Sequence, residues 1–202
     1  MVKRPVGVFN APPVYTLGLV DALRSTAYWV DVVSDPMTWT ASHGREILLL
    51  VVSEPNDLDV IIEIRHGSPD AAVITVVDRI TTDMLAASLR AGATGSIGLY
   101  ASPDEVVLAL DAATTEKVLV PTPLARLMLR GHEVRMDRAL LSETEVTCLE
   151  ALAQGERVAS LARRLGYSER EIYRRLHRLY IRMGVKGRTQ ALLLAYRWGV
   201  IE

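Results

Sequence analysis

Residues 167–185 read YSEREIYRRLHRLYIRMGV, a stretch that places five arginines within thirteen residues. At about 100° per residue its apolar side chains form one stripe, and several cationic side chains point the opposite way. The stripe consists of Ile172, Leu176, Leu179 and Met183, and the opposite face carries Arg170, Arg174, His177 and Arg178. Ser168 with Glu171 three residues later predicts a capping box, and Gly184 is a typical helix stop. The stretch therefore predicts an amphipathic helix with one buried and one cationic face.

The surrounding sequence predicts further helices. SETE at residues 142–145 is a second capping box, Gly155 ends the helix that it starts, and a short helix is predicted over residues 158–165. LGY then turns the chain into the arginine-rich helix, and a last helix is predicted from Arg188 to about Gly199. A short helix, a turn that contains glycine and a longer cationic helix are typical of a helix-turn-helix. Such a helix can enter the major groove of DNA, where arginine binds guanine or phosphate.

Charge separates the two halves of the chain. Residues 1–116 contain 7 basic and 15 acidic residues, whereas residues 117–202 contain 16 basic and 9 acidic residues. This asymmetry indicates that the C-terminal half meets a polyanion. Arginine content alone is a weaker indication than arginine position, because 20 of the 23 basic residues are arginines.

The first 116 residues alternate apolar runs with helical patterns. The runs are VGVFN (6–10), YWVDVV (28–33), ILLLVV (47–52), AAVITVV (71–77) and GSIGL (95–99). This alternation predicts βαβ crossovers and a five-stranded parallel sheet covered on both faces. We expect an α/β domain over residues 1–116, a linker with a short helix over 117–137, and an all-α domain over 138–202.

Three motifs in the C-terminal half carry a family resemblance: LSETE (141–145), ARRLGYSE (162–169) and MGVKGRTQA (183–191). With them, residues 140–202 resemble the LuxR/NarL-type DNA-binding domain. The resemblance implies base-facing roles for Tyr173, Arg174 and His177. It also implies phosphate-facing roles for a second set, namely Arg170, Arg175, Arg178, Arg182, Lys186 and Arg188.

Two further expectations concern this surface. Some of these arginines could instead pair with Glu169, Glu171 or another neighbour on a solvated face. In the family the last helix, here with Ala191, Leu192 and Ala195, commonly pairs two DNA-binding domains. The resemblance therefore implies a homodimer on an inverted repeat in promoter DNA. A helix-turn-helix that only sequesters another regulator is the alternative.

The N-terminal half resembles the receiver domain of response regulators, which has a flavodoxin-like fold. A working receiver needs an acidic pair for Mg²⁺, a phosphoacceptor aspartate, a hydroxyl and a lysine, because phosphoryl transfer needs cations to balance charge. The matching positions in this chain are Asn10 and Ala11, Val51, Val77 and Leu99. Valine cannot accept a phosphoryl group, so we expect an atypical receiver that does not use aspartyl phosphorylation.

Several alternatives for control of this domain remain open. Ser53, Glu54 and Asp57 could supply a displaced phosphorylation site. The first predicted helix, with Leu17, Val20 and Leu23, or the last helix of this half, from Pro103 to Thr115, could supply an apolar face for constitutive dimerisation. A small-molecule ligand could bind at the C-terminal edge of the sheet, where open α/β sheets place their ligands.

Other functional classes lack a signal in the sequence. No strand-to-helix G-x-G-x-x-G, nucleophile motif or metal-ligand spacing occurs, so we expect no enzyme, catalytic residue, metal or cofactor. The longest aliphatic run is ILLLVV, which is far shorter than a membrane span, and we expect a cytoplasmic protein. Cys148 is the only cysteine and lies in an apolar helical phase, so we expect it in the core.

Overall fold

The computed structural model describes residues 3–43, 45–115, 117–118, 120, 125 and 141–201. The chain divides into two units, an α/β unit and a helical unit, and each is described by itself. The predicted linker over 117–137, with its short helix, lies outside the described residues apart from single positions. The three domain boundaries therefore stay a prediction.

Five parallel strands form the sheet of the α/β unit, in the order β2-β1-β3-β4-β5. A short 3-10 turn at Pro55–Asp57 follows β3. The elements are β1 (Arg4–Phe9), α1 (Pro13–Leu23), β2 (Tyr28–Val32), α2 (Pro36–His43), β3 (Ile47–Val51), α3 (Leu58–Gly67), β4 (Ala72–Val77), α4 (Thr82–Ala91), β5 (Gly95–Gly98) and α5 (Pro103–Thr114). This topology confirms the receiver-like, flavodoxin-like fold that the alternating pattern predicts.

The central strands read as continuous apolar runs because helices cover both faces of the sheet. Every residue of β3, ILLLV, is buried, and five of the six residues of β4 are buried. The start of α5 is fixed by a reciprocal capping box between Ser102 and Glu105. The parallel register brings the C-terminal ends of β1, β3, β4 and β5 to one edge, where the predicted phosphorylation positions lie.

The helical unit contains four helices among the described residues 141–201. They are α6 (Glu143–Ala153), α7 (Val158–Leu165), α8 (Glu169–Met183) and α9 (Arg188–Arg197). Their apolar faces meet in one core, to which Leu149, Leu161, Ile172, Leu179 and Ala191 contribute fully buried side chains. A reciprocal capping box between Ser142 and Glu145 starts α6.

Two remaining predictions concern Cys148 and membranes. The Cys148 side chain is buried in α6, and this burial, followed by the charge of Glu145, raises the pKa of its thiol. Cys148 is thus a core residue, as predicted. Within the described ranges, no helix combines the length and the apolar character that crossing a bilayer requires.

Candidate nucleic-acid interface

A tight turn sets the direction of α8 relative to α7. Helix α7 ends at Gly166, whose φ of 73° lies in the left-handed region that glycine adopts without steric cost. The Tyr167 N–H then donates to the Ala162 carbonyl at 2.9 Å, which satisfies the end of α7. Ser168 caps α8 at once, because its side-chain oxygen accepts from the Glu171 N–H at 3.2 Å. The predicted helix-turn-helix is therefore present.

The two faces of α8 differ as the sequence predicts. Ile172, Leu176, Leu179 and Met183 are buried against the other helices of the unit. The opposite face presents Arg170, Tyr173, Arg174 and His177 to solvent. The three residues with an expected base-facing role thus lie on an exposed face of an α-helix, an element that the major groove admits.

The exposed face is partly paired within itself. The Glu171 carboxylate accepts from Arg174 Nη2 at 2.5 Å and from Arg175 Nε at 3.0 Å. The Arg175 guanidinium also lies over the Tyr167 ring, 4.6 Å from its centroid. Two of the arginines with expected DNA contacts therefore pair with Glu171, which is the alternative that the sequence leaves open.

Arg182 is a correction to the sequence-based prediction. We predicted a phosphate-facing side chain, but Arg182 is 0% exposed and its guanidinium pairs with the carboxylate of Glu145 on α6. The helical periodicity contains the signal that was missed, because Arg182 adjoins the buried stripe next to Leu179 and Met183. Arg182 is a structural residue that ties the end of α8 to the start of α6.

The remaining predicted phosphate contacts have different surroundings. Arg178 is half-buried and has an interaction partner. Lys186 is exposed beyond the end of α8. Arg188 begins α9 and donates from Nη2 to the Leu152 carbonyl at 2.7 Å, so one of its donors binds its own unit.

Helix α9 turns a different face outward from the one that the sequence indicated. Ala191 and Ala195 are fully buried in their own unit, and Leu192 is half-buried. Leu193 and Tyr196 are instead 61% and 66% exposed. The sequence signal for their exposure is their three-residue spacing and their position opposite the alanines on the helix. An α9-mediated contact between two domains would therefore use Leu193 and Tyr196.

At the C-terminal edge of the sheet, apolar groups occupy the positions predicted for the phosphorylation chemistry. Val51 is 4% exposed, Val77 is also buried, and Leu99 packs against the core. Ala11, at the acidic-pair position, also packs there. Over the part of the chain that the structure describes, no group of three His, Cys, Asp or Glu side chains could hold a metal ion.

Asn10 adopts an unusual backbone conformation at this edge. Its φ of 60° is the one positive value among described residues other than glycine. Its amide nitrogen donates to the Val51 carbonyl at 3.0 Å and to the Asp57 carboxylate at 3.2 Å. The same carboxylate accepts from the Ser53 N–H at 2.7 Å. Asp57, a candidate for a displaced phosphorylation site, is thus engaged in local hydrogen bonds.

The α/β unit has two other surface features. On α1, Val14 and Leu17 are 81% and 69% exposed, and on α5 Leu108 is exposed as well. A cavity of about 540 Å³ opens at the N-terminal edge of the sheet, opposite the C-terminal edge that the sequence left open as one alternative for a ligand. Its charged lining residues are Arg4, Arg45, Glu46, Arg65 and Asp70.

These features define a protein in which a receiver-like α/β domain is joined to a helix-turn-helix domain. Residues 139–195 match the family described as bacterial regulatory proteins, luxR family. The helical unit is thus a LuxR-family helix-turn-helix domain, as its motifs indicated.

Relatives with matches over most of the chain are response regulators or transcriptional regulatory proteins by name. Response regulator UvrY of Escherichia coli K12 is 22% identical over 172 residues, which cover 82% of this chain and 79% of UvrY. Transcriptional regulatory protein YdfI of Bacillus subtilis 168 is 28% identical over 159 residues, covering 75% of this chain and 73% of YdfI. A solved structure of the RcsB response regulator from Salmonella typhimurium shares the fold. It has a TM-score of 0.52 and 22% identity, and the match covers 98% of both chains. The chain therefore has response-regulator homologues.

Proposed function

We propose that this protein is a sequence-specific DNA-binding transcription regulator that works as a homodimer and without aspartyl phosphorylation. One observation carries the proposal: α8 follows a helix-turn-helix turn and presents Arg170, Tyr173, Arg174 and His177 on one exposed face. Arginine pairs bidentately with guanine, and tyrosine and histidine can also contact base edges or phosphates. The basic C-terminal half supplies the charge that attracts DNA.

The filled edge of the sheet supports independence from phosphate. A phosphoryl group at this edge would need a carboxylate acceptor, Mg²⁺ and a lysine. Buried Val51 and Val77 offer neither an acceptor nor a hydroxyl, and Leu99 offers no cation. We therefore propose that the DNA-binding form exists without a phosphodonor.

Exposed apolar side chains support a homodimer. Val14 and Leu17 share one side of α1, and Leu193 and Tyr196 share one side of α9. Large apolar side chains grouped on a surface are typical of protein interfaces. We expect Leu17→Asp to convert the protein to monomers in sedimentation velocity. A contact between two copies through α1 would bury the aspartate, and the loss of its hydration would oppose dimerisation. Leu108→Asp on α5 is the matched variant, and dissociation by that change alone would assign the contact to α5.

The test begins with selection of binding sites from a random duplex DNA pool by the full-length, unphosphorylated protein. Fluorescence anisotropy then measures the affinity for the selected site at two salt concentrations. The expected result is an inverted repeat bound about 10³-fold or more tightly than random DNA. Sequence-blind binding that salt abolishes would contradict the proposal. No binding at all would favour a protein that sequesters another regulator.

We propose a second candidate for control of the protein, namely a small anionic ligand in the cavity at the N-terminal edge of the sheet. The volume of about 540 Å³ is in the range of small-molecule sites. Arg4 and Arg45 line it without an ion pair among the described residues, and Arg65 is held by the Gly92 carbonyl at 2.7 Å. Glu46 and Asp70 on the same rim would select a ligand that presents its charge to the arginines.

Thermal unfolding of the full-length protein with inorganic phosphate or citrate tests this candidate. We expect stabilisation of the wild type that Arg45→Ala reduces. Arg24→Ala is the control, since Arg24 pairs with Asp21 at 3.4 Å and does not line the cavity. An equal response of all three proteins would contradict a ligand site in this cavity.

A further inference from the structure

The first turn of α8 departs from the capping pattern of α5 and α6, which start with the same Ser-x-x-Glu sequence. In α5 and α6 the third-position glutamate, Glu105 or Glu145, accepts from the backbone N–H of the capping serine and completes a reciprocal box. In α8 the Ser168 side chain accepts from the Glu171 N–H, but the Glu171 carboxylate binds Arg174 and Arg175. The same sequence pattern therefore has a different outcome where arginines follow on the same helix face.

The Glu171 carboxylate is held from one side by a fixed group. Arg175 is half-buried, stacks over the Tyr167 ring and donates from Nε to Glu171 Oε1. Glu171 itself is mostly covered, with a side-chain exposure of 22%. Its second oxygen, Oε2, accepts from Arg174 Nη2 at 2.5 Å. A chain of contacts thus runs from Tyr167 through Arg175 and Glu171 to the exposed Arg174.

This chain acts on the part of α8 that would meet base edges. In a helix-turn-helix, residues near the N-terminus of the second helix contact the bases. An arginine binds guanine through two parallel N–H donors, and its guanidinium has five. One donor on Glu171 leaves others for guanine, and the side chain loses less conformational freedom on binding because it is already oriented.

We infer that Glu171 is a specificity-determining positioning residue that holds the Arg174 guanidinium for guanine. The inference rests on the proposed DNA-binding function. It assigns a role to a carboxylate on a surface that meets a polyanion, where negative charge by itself weakens binding. A glutamate there is useful to DNA recognition when it orients a cation.

Glu169 provides a matched control for charge. Glu169 and Glu171 both lie in the first turn of α8, so changing either to glutamine removes one negative charge at the same helix end. Glu169 is exposed and makes no ion pair within the described residues. A difference between Glu171→Gln and Glu169→Gln therefore reports the contact with the arginines.

The experiment measures a specificity ratio with the full-length protein. The ratio is the affinity for the selected site divided by the affinity for the same site with the guanine that Arg174 contacts replaced. We expect Glu171→Gln to reduce this ratio by roughly tenfold, within the range for one bidentate base contact, and Glu169→Gln to leave it unchanged. In the Arg174→Ala background, Glu171→Gln should have no further effect on the ratio.

Failure of the inference differs from failure of the proposed function. If the wild type selects a specific site and both glutamine variants keep the same ratio, Glu171 does not position Arg174. If Glu171→Gln lowers the ratio equally with and without Arg174, its effect is structural and the inference is also wrong. If the wild type selects no site, the proposed function fails and the inference fails with it.

Discussion

The outer face of α8 and the C-terminal edge of the parallel sheet present opposite chemistry. The helix face exposes arginine, tyrosine and histidine, and a glutamate pairs with two of the arginines. The sheet edge has buried valines and a packed leucine at the positions predicted for the charges of a receiver. The difference teaches that two domains of one chain can present a charged surface in one and an apolar edge in the other. The fold of the α/β domain depends on its apolar runs, so apolar side chains at this edge are compatible with it.

The largest effect is expected on stability, from removal of the buried arginine of α8, Arg182. Removing one partner of a buried ion pair leaves an uncompensated charge, so Arg182→Ala should reduce the free energy of unfolding by about 3–5 kcal/mol. Urea unfolding followed by far-ultraviolet circular dichroism measures this change. Arg170→Ala, on the exposed face, should change it by less than about 0.5 kcal/mol. Equal effects of the two variants would show that burial of Arg182 contributes nothing.

The next effect concerns the exposed arginine in the centre of the face. Arg174→Ala should weaken binding to the selected site by about 1–3 kcal/mol and relax the preference at one base pair. Anisotropy titrations on the selected site and its single-base variants measure both quantities. A loss that is uniform across all sequences would instead identify Arg174 as a phosphate contact.

A smaller effect is expected at the start of α8. Arg170→Ala should weaken binding to all sequences similarly and reduce the slope of log affinity against log salt by about 1, because one phosphate contact is lost. The measurement is a salt titration of affinity for the selected and a random duplex. An unchanged slope would place Arg170 away from the DNA backbone.

A phosphodonor should have no effect at the C-terminal edge of the sheet. We expect no phosphorylation when the full-length protein is incubated with Mg²⁺ and a small-molecule phosphodonor, and therefore no change in DNA affinity. Intact-protein mass spectrometry detects the added phosphoryl group. Stoichiometric phosphorylation would contradict the proposal that the protein works without aspartyl phosphorylation. If the Asp57→Asn variant then lost the added mass, the phosphoryl group would be assigned to Asp57.

The surroundings of side chains on α8 and α9 were predictable from the sequence only in part, for a physical reason. The stripe of Ile172, Leu176, Leu179 and Met183 is periodic, so the buried and exposed faces of α8 were predictable. The place of Arg182 beside this stripe indicated its burial, but its pairing with Glu145 was not predictable, because the two residues are 37 positions apart and only folding brings their charges together. The role of Ala191 and Ala195 was missed for the same kind of reason, since their burial depends on the packing of α9 against other helices.

The sequence by itself determined the two fold classes and the helix-turn-helix, and it predicts the loss of charged groups at the phosphorylation positions. These properties follow from local periodicity, capping residues and residue identity, which act over short stretches of chain. Only the tertiary structure decided which carboxylate pairs with the buried Arg182, where the Glu171 carboxylate points, and which residues α9 exposes. These outcomes depend on contacts between side chains that are distant in sequence or that compete for one partner, and local patterns do not encode that competition.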